Sequence, residues 1–173
     1  EDPTFHESIN VPFLQSRIER QRKITERMKK MTPRPKKGFG ILIVLDDLAD
    51  ARRNLLQCGQ LVDSLFIKAR HFGVSTIVST QKLRLPLISP CVRVNVTAVL
   101  VWRLRSRSEM QQYLEEYSAL VPIDVLKRMY DEAVAIHFNF LYINTLAKDI
   151  DKMFYSGFMR RFIPSEIGET AAA

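Results

Sequence analysis

The sequence predicts an α/β fold built on a mainly parallel sheet. Three observations lead there. Ile41-Leu42-Ile43-Val44-Leu45 is an unbroken apolar run, mostly β-branched. It reads as a strand buried on both faces, as in parallel sheets covered by helices. An amphipathic helix from about Leu55 to Phe72 follows, and then a second strand, Val74 to Gln81. Strand, helix and strand of these lengths form a right-handed βαβ unit. Its two carboxyl ends, Asp46-Asp47 and Gln81, then lie side by side at one edge of the sheet.

The remaining elements follow in chain order. Residues 1–11 show no clear period and read as loop or extended chain. Leu14 to Met31 has a helical pattern, with Leu14, Ile18, Ile24, Met28 and Met31 as its apolar positions. Lys and Arg fill most of the rest, so the helix is largely solvated. Thr32-Pro33-Arg34-Pro35-Lys36-Lys37-Gly38 breaks it and leads, as a basic connector, into the first strand. The apolar face of the second helix is Leu55, Leu56, Leu61, Val62, Leu65, Phe66 and Ala69, and Gly73 caps its end. Leu85 to Val96 reads as a Pro-bounded loop. Thr97 to Leu104 reads as a third buried strand. Helices are expected from Ser108 to about Leu120 and from Pro122 to about Ala135. His137 to Ile143 reads as a fourth strand. From Thr145 a tail with a short helix fades into the Ala-rich end.

Composition narrows the class. The chain has 173 residues, 46% of them hydrophobic, which supports a globular core. Lys and Arg number 26 against 19 Asp and Glu, a net charge of +7 that suits a polyanionic partner or a solvated surface. Cys58 and Cys91 carry no metal spacing, so a reducing compartment is expected. No apolar run is long enough to span a membrane, and no signal peptide is evident. The first residue is Glu1 rather than Met, which suggests a fragment or a processed product.

The chemistry gathers at Asp46-Asp47. Carboxylates at the carboxyl end of a buried strand sit where α/β folds place their active groups. One can hold Mg²⁺, a hard cation that takes oxygen ligands, and a second can polarise a water. That is the design of a Walker B strand. An Asp-Asp turn after a buried strand is the other reading.

Four segments together resemble one family. They are Ile41–Asp47, Lys68-Ala69-Arg70-His71-Phe72-Gly73-Val74-Ser75, Ser79-Thr80-Gln81 and Val92-Arg93-Val94-Asn95. In this order and spacing they resemble the poxvirus-type viral DNA-packaging ATPases, within the FtsK/HerA group of P-loop ATPases. The resemblance runs from about Lys37 to Ile143. It implies a three-layer RecA-like core with a mainly parallel sheet, incomplete at its amino-terminal side. Residues 1–39 would be a basic helical lead-in, 40–144 the carboxyl-terminal part of the core, and 145–173 a tail. The chain departs from the family in lacking Gly-x-x-x-x-Gly-Lys-[Ser/Thr], the loop that cradles phosphates. Only 39 residues precede Gly40, so the P-loop is expected in a longer polypeptide, or else the copy is degenerate.

The resemblance also implies roles. The cofactors would be ATP and Mg²⁺. Asp46 would orient Mg²⁺ through water, and Asp47 would polarise the attacking water. Gln81 matches the family's γ-phosphate sensor. Arg70 and Arg93 compete for an arginine finger, and both are expected near the carboxyl edge of the sheet. Arg103, Arg105 and Arg107 alternate after the third strand and would line a DNA-facing surface or a solvated edge. Partners would be double-stranded DNA, further copies in a pentameric or hexameric ring, and capsid or portal proteins, with no membrane span. The location would be intracellular, in a virion or a virus factory of the host cytoplasm or nucleus. A cellular or conjugative DNA pump, or a non-catalytic DNA-binding or assembly protein, are the alternatives. Lacking the P-loop, the purified 173-residue chain should show no Mg²⁺-dependent ATP turnover in a coupled assay. Robust turnover that Asp46→Ala abolishes would contradict this reading.

Overall fold

The computed structural model describes residues 5, 6, 8–33, 35, 36, 38–47, 55–81 and 88–169, without the side chains of 55–58 and 169. Arg34 and Lys37 of the connector, residues 48–54, the side chains of Leu55 and Leu56, and residues 85–87 of the expected loop lie outside it. The chain divides into two compact units, residues 1–95 and 96–173. It is a mixed α/β protein with a two-stranded parallel sheet and a four-stranded antiparallel sheet.

The first unit begins with helix α1, Val11–Lys30. Asn10 caps it by accepting from the Phe13 amide at 3.0 Å. Arg27, Lys29 and Lys30 in its last turn complement the helix dipole. Strand β1 is Ile41–Leu45 and helix α2 is Leu55–Ile67. A tight 3₁₀ turn, Ala69–Phe72, then leads to strand β2, Val74–Val78. The helix expected to reach Phe72 therefore ends early and tightens. Gly73 closes the turn at φ 75°, as a glycine cap should. β1 and β2 pair in parallel, with Ile41 opposite Val74 and Leu45 opposite Val78. The short helix α3, Pro90–Asn95, occupies part of the expected 85–96 loop.

The core of this unit joins Ile43, Leu45 and Val74 of the strands to Leu61, Val62 and Leu65 of α2, with Ile88 and Val92 beside them. Burial on β1 alternates. Leu42 and Val44 are each 58% exposed and Ile77 is 54% exposed. The expected burial on both faces is thus corrected: one face of the pair is apolar and uncovered among the described residues.

A buried amide organises the amino-terminal edge of the pair. Gln21 of α1 is 3% exposed. Its Nε2 donates to the Phe39 carbonyl at 2.6 Å and to the Phe72 carbonyl at 3.0 Å. Thr25 Oγ1 also donates to Phe72, at 2.7 Å. Phe39 precedes β1 and Phe72 precedes β2, so one helix holds the entry of both strands. The backbones meet closely there. A Cβ added at Gly40 would lie 3.0 Å from the Gly73 carbonyl, and the Ile41 amide donates to that same oxygen.

The second unit contains strand β3, Ala98–Val101, helix α4, Arg107–Tyr117, and helix α5, Ile123–Ala135. Strand β4, Leu141–Asn144, strand β5, Phe154–Ser156, and strand β6, Arg160–Arg161, follow, and helix α6, Pro164–Glu169, ends it. The sheet order is β3-β4-β5-β6, antiparallel throughout. The expected third and fourth strands therefore do not extend the parallel sheet. The physical reason is the link between them. One crossover helix returns the chain for a parallel strand, whereas the α4–α5 pair reverses it once more. The supposed tail also contributes two strands to this sheet. Leu141, Ile143 and Phe154 are fully buried, together with Leu126, Met129 and Ala133 of α5. Tyr130 ties the helix to the chain after β3: its Oη accepts from the Leu104 amide at 2.6 Å and donates to the Trp102 carbonyl at 3.1 Å.

Gln21→Leu retains the volume and removes both donors, so it should lower unfolding stability by about 1–3 kcal/mol. Thr25→Val should cost about 1 kcal/mol, because Phe72 keeps its Gln21 bond. Urea midpoints measure both, and a Gln21→Leu midpoint equal to wild type would contradict the buried bridge.

Candidate functional site

The parallel register builds the site. Leu45 faces Val78, and the Ser79 amide donates to the Leu45 carbonyl at 2.9 Å, so the ladder continues past both strands. Asp46 and Asp47 leave β1 at the same edge at which Thr80 and Gln81 leave β2. The carboxyl ends of the two strands are adjacent as expected, although β2 ends at Val78 rather than at Gln81, which follows three residues later. Asp46, Asp47 and Gln81 are all exposed.

The acidic turn has a defined shape. Asp46 Oδ1 accepts from the Asp47 amide at 3.0 Å, and Asp47 adopts φ 45°. Asp tolerates this left-handed region because its short polar chain can bond locally, whereas a β-branched residue does not. The two carboxylates are oxygen donors open to solvent. That donor set fits Mg²⁺, which keeps several waters and takes one or two carboxylates. Among the described residues, no group of three or more His, Cys, Asp and Glu is gathered as a metal cage.

The two candidate finger arginines sit on separate elements. Arg70 sits in the 3₁₀ turn just before β2. That is the amino-terminal edge of the sheet, a strand length away from Asp46, or about 16 Å at the usual rise. The expectation that Arg70 lies near the carboxyl edge is corrected, because the crossover helix carries the chain back across the sheet before β2 starts. Arg93 rides on α3, which packs on α2. Ser89 Oγ, just before α3, hydrogen-bonds Asp63 Oδ1 at 2.5 Å, and Val92 is buried.

Arg103, Arg105 and Arg107 belong to the second unit and are exposed. Arg103 Nη2 donates to the Val134 carbonyl at 2.9 Å, near the end of α5, where a cation complements the helix dipole. Arg107 opens α4 just after its cap, Ser106.

Charge divides unevenly between the units. Residues 1–95 carry 17 Lys and Arg against 9 Asp and Glu, and residues 96–173 carry 9 against 10. On α1 the basic residues are Arg17, Arg20, Arg22, Lys23, Arg27, Lys29 and Lys30. Arg22 bonds Glu19 at 2.7 Å, which holds the Glu19 carboxyl below its ordinary range. A cleft between α1 and α2, lined by Val11, Gln15, Ile18, Gln60, Leu61 and Ser64, includes none of the acidic-turn residues.

Gln21 and Thr25 were not singled out in the sequence. Their signal was available. Leu14, Ile18, Gln21, Thr25 and Met28 share one helical stripe, so polar residues stand where apolar ones are expected.

No family model, no curated protein and no solved structure matches this chain.

The left-handed Asp47 gives a direct check. Asp47→Gly should leave thermal stability unchanged or slightly raised, and Asp47→Val should cost about 1–2 kcal/mol. Equal melting temperatures for the two would show that the turn does not hold this conformation.

Proposed function

We propose that residues 40–81 form the acidic-strand part of a P-loop ATPase core of the three-layer RecA-like kind. Its work is to drive double-stranded DNA through a homo-oligomeric ring, with viral genome packaging as the task. The observation that carries this reading is the parallel ladder of β1 and β2, which brings Asp46-Asp47 and Gln81 to one edge. The uncovered apolar face of Leu42, Val44 and Ile77 adds support, because a parallel pair in such a core has a layer on both faces.

Asp46 would hold Mg²⁺ through water, and Asp47 and Gln81 would face the γ-phosphate. Bound Mg²⁺ would neutralise charge on the phosphates. Asp47, at the exposed end of the strand, would accept a proton from the attacking water and orient it. The Gln81 amide can donate to a phosphate oxygen and accept from that water. These 173 residues contain no P-loop, so on this reading the phosphate cradle would be supplied by other polypeptide. Arg93, on α3, is the other candidate for a finger. Arg70 would serve only a neighbour that docks at the amino-terminal edge.

A second reading has its own support. The basic surface of α1 and the missing P-loop fit a non-catalytic DNA-binding or assembly protein. The full-length gene product separates the two. The motor reading expects Asp47→Asn to bind Mg²⁺-ATP and lose hydrolysis by about 10²- to 10⁴-fold. It also expects binding to duplexes of unrelated sequence with similar affinity, falling steeply with salt. Salt-sensitive duplex binding without any nucleotide binding would select the second reading, and a normal hydrolysis rate in Asp47→Asn would place the base elsewhere.

A further inference from the structure

Alternation along the strands of the second unit leaves one sheet face outward. Leu141, Ile143, Phe154 and Ser156 point to the helices and are buried. Tyr142 and Tyr155 are directly paired on the other face, with rings 5.6 Å apart and stacked at 30°. Phe158 meets Tyr142 edge-on at 5.6 Å and Phe140 at 5.0 Å. Trp102 joins Phe140 at 5.0 Å. Trp102, Phe140, Phe158, Tyr142 and Tyr155 thus form one unbroken series of rings across neighbouring strands. Trp102 is 51% exposed and Phe158 66% exposed. Phe140, Tyr142 and Tyr155 between them are half-buried, and a contiguous ring series open at Trp102 and Phe158 is the kind of apolar patch that marks a binding surface.

Charge indicates the partner. Arg161 lies opposite Tyr155 in the register of β5 and β6, at the end of the ring series. Asp149, whose carboxyl is held low by the Asp151 amide, Lys152 and Arg161, is paired with Lys152 at 3.2 Å. Six of the unit's ten acidic residues, Glu109, Glu115, Glu116, Asp124, Asp131 and Glu132, lie on α4 and α5, and α5 packs under the opposite face. The aromatic face therefore has the Arg161 guanidinium beside it, while most carboxylates are on the helical side. Flat rings beside cations suit a polyanion with π faces.

We propose that this face is a stacking platform for single-stranded nucleic acid. Bases stack on the rings of Trp102, Phe158 and Tyr155, and Arg161 meets the phosphates. Every base has a π face, so recognition is tolerant of sequence. The inference does not rest on the ATPase reading, which concerns other residues and a duplex.

The chain carries its own reporter, because Trp102 is its single tryptophan. The purified 173-residue protein is titrated with a short oligothymidylate, and Trp102 emission is followed. Saturable quenching is expected. Phe158→Ala should weaken it about tenfold or more, Phe158→Tyr should restore it, and Phe158→Leu should not, because stacking needs a ring rather than apolar area. Arg161→Ala should flatten the salt dependence. Phe158 is exposed, so its truncation leaves the fold intact, which circular dichroism checks. Four outcomes would overturn the proposal. One is unchanged emission with oligothymidylate. The second is equal response to heparin and oligothymidylate with Phe158→Ala binding like wild type, which assigns binding to charge alone. The third is preferential quenching by duplex. The fourth is a Trp102 shift that follows protein concentration without nucleic acid, seen with dimer in sedimentation, which assigns the face to a second copy.

Discussion

The bridge from Gln21 to the carbonyls of Phe39 and Phe72 sets the geometry of the first unit. Those carbonyls precede strands that start 33 residues apart in sequence, at Ile41 and Val74. A parallel pair has no tight turn to fix its register. Here the register is fixed at the entry of both strands by one buried amide, and by backbones that approach closely at Gly40 and Gly73. Shifting one strand by a residue would exchange its buried and exposed faces and leave the amide facing the wrong carbonyl. What happens at the far edge, where Asp46 and Gln81 emerge, follows from this near one.

Much of this unit was legible in the sequence, for identifiable reasons. The run Ile41–Leu45, the helix length and the glycine cap at Gly73 each restrict the backbone locally. Together they imply a parallel pair with its carboxyl ends adjacent. One-sided burial of β1 was not legible, because an apolar run does not reveal how many layers cover it. The bridge left only an indirect mark, Gln21 and Thr25 on the apolar stripe of α1, and the stripe does not say which carbonyls they meet. The place of Arg70 was misjudged for a geometric reason: closeness in sequence to β2 puts it at that strand's beginning, not its end.

The second unit was legible by element and not by topology. Most of its helices and two of its strands are near where periodicity put them. Their pairing depends on how many helices lie between β3 and β4, and the α4–α5 pair makes it antiparallel. The alternation of Phe140, Leu141, Tyr142 and Ile143 could be read as a half-buried strand. Which set faced the core required the neighbours: Leu141 and Ile143 meet α5, so the aromatic rings are outward. The two units thus differ in chemistry. The first holds the excess positive charge and the acidic turn, and the second presents rings on a nearly neutral body.

The account turns on the parallel register that joins Asp46-Asp47 to Gln81, and paired cysteines on the uncovered face test it most directly. Val44 and Ile77 are Cα partners across the ladder, and both side chains are exposed. Leu42 and Ile77 are two positions out of register, so their Cα atoms lie about 8 Å apart, beyond disulfide reach. With Cys58 and Cys91 replaced by serine, the doubly substituted Val44→Cys, Ile77→Cys protein should oxidise readily to an intramolecular disulfide, and Leu42→Cys, Ile77→Cys should not. Preferential linking of 42 to 77 would contradict this register, because it requires a ladder slipped by two residues or strands that run antiparallel.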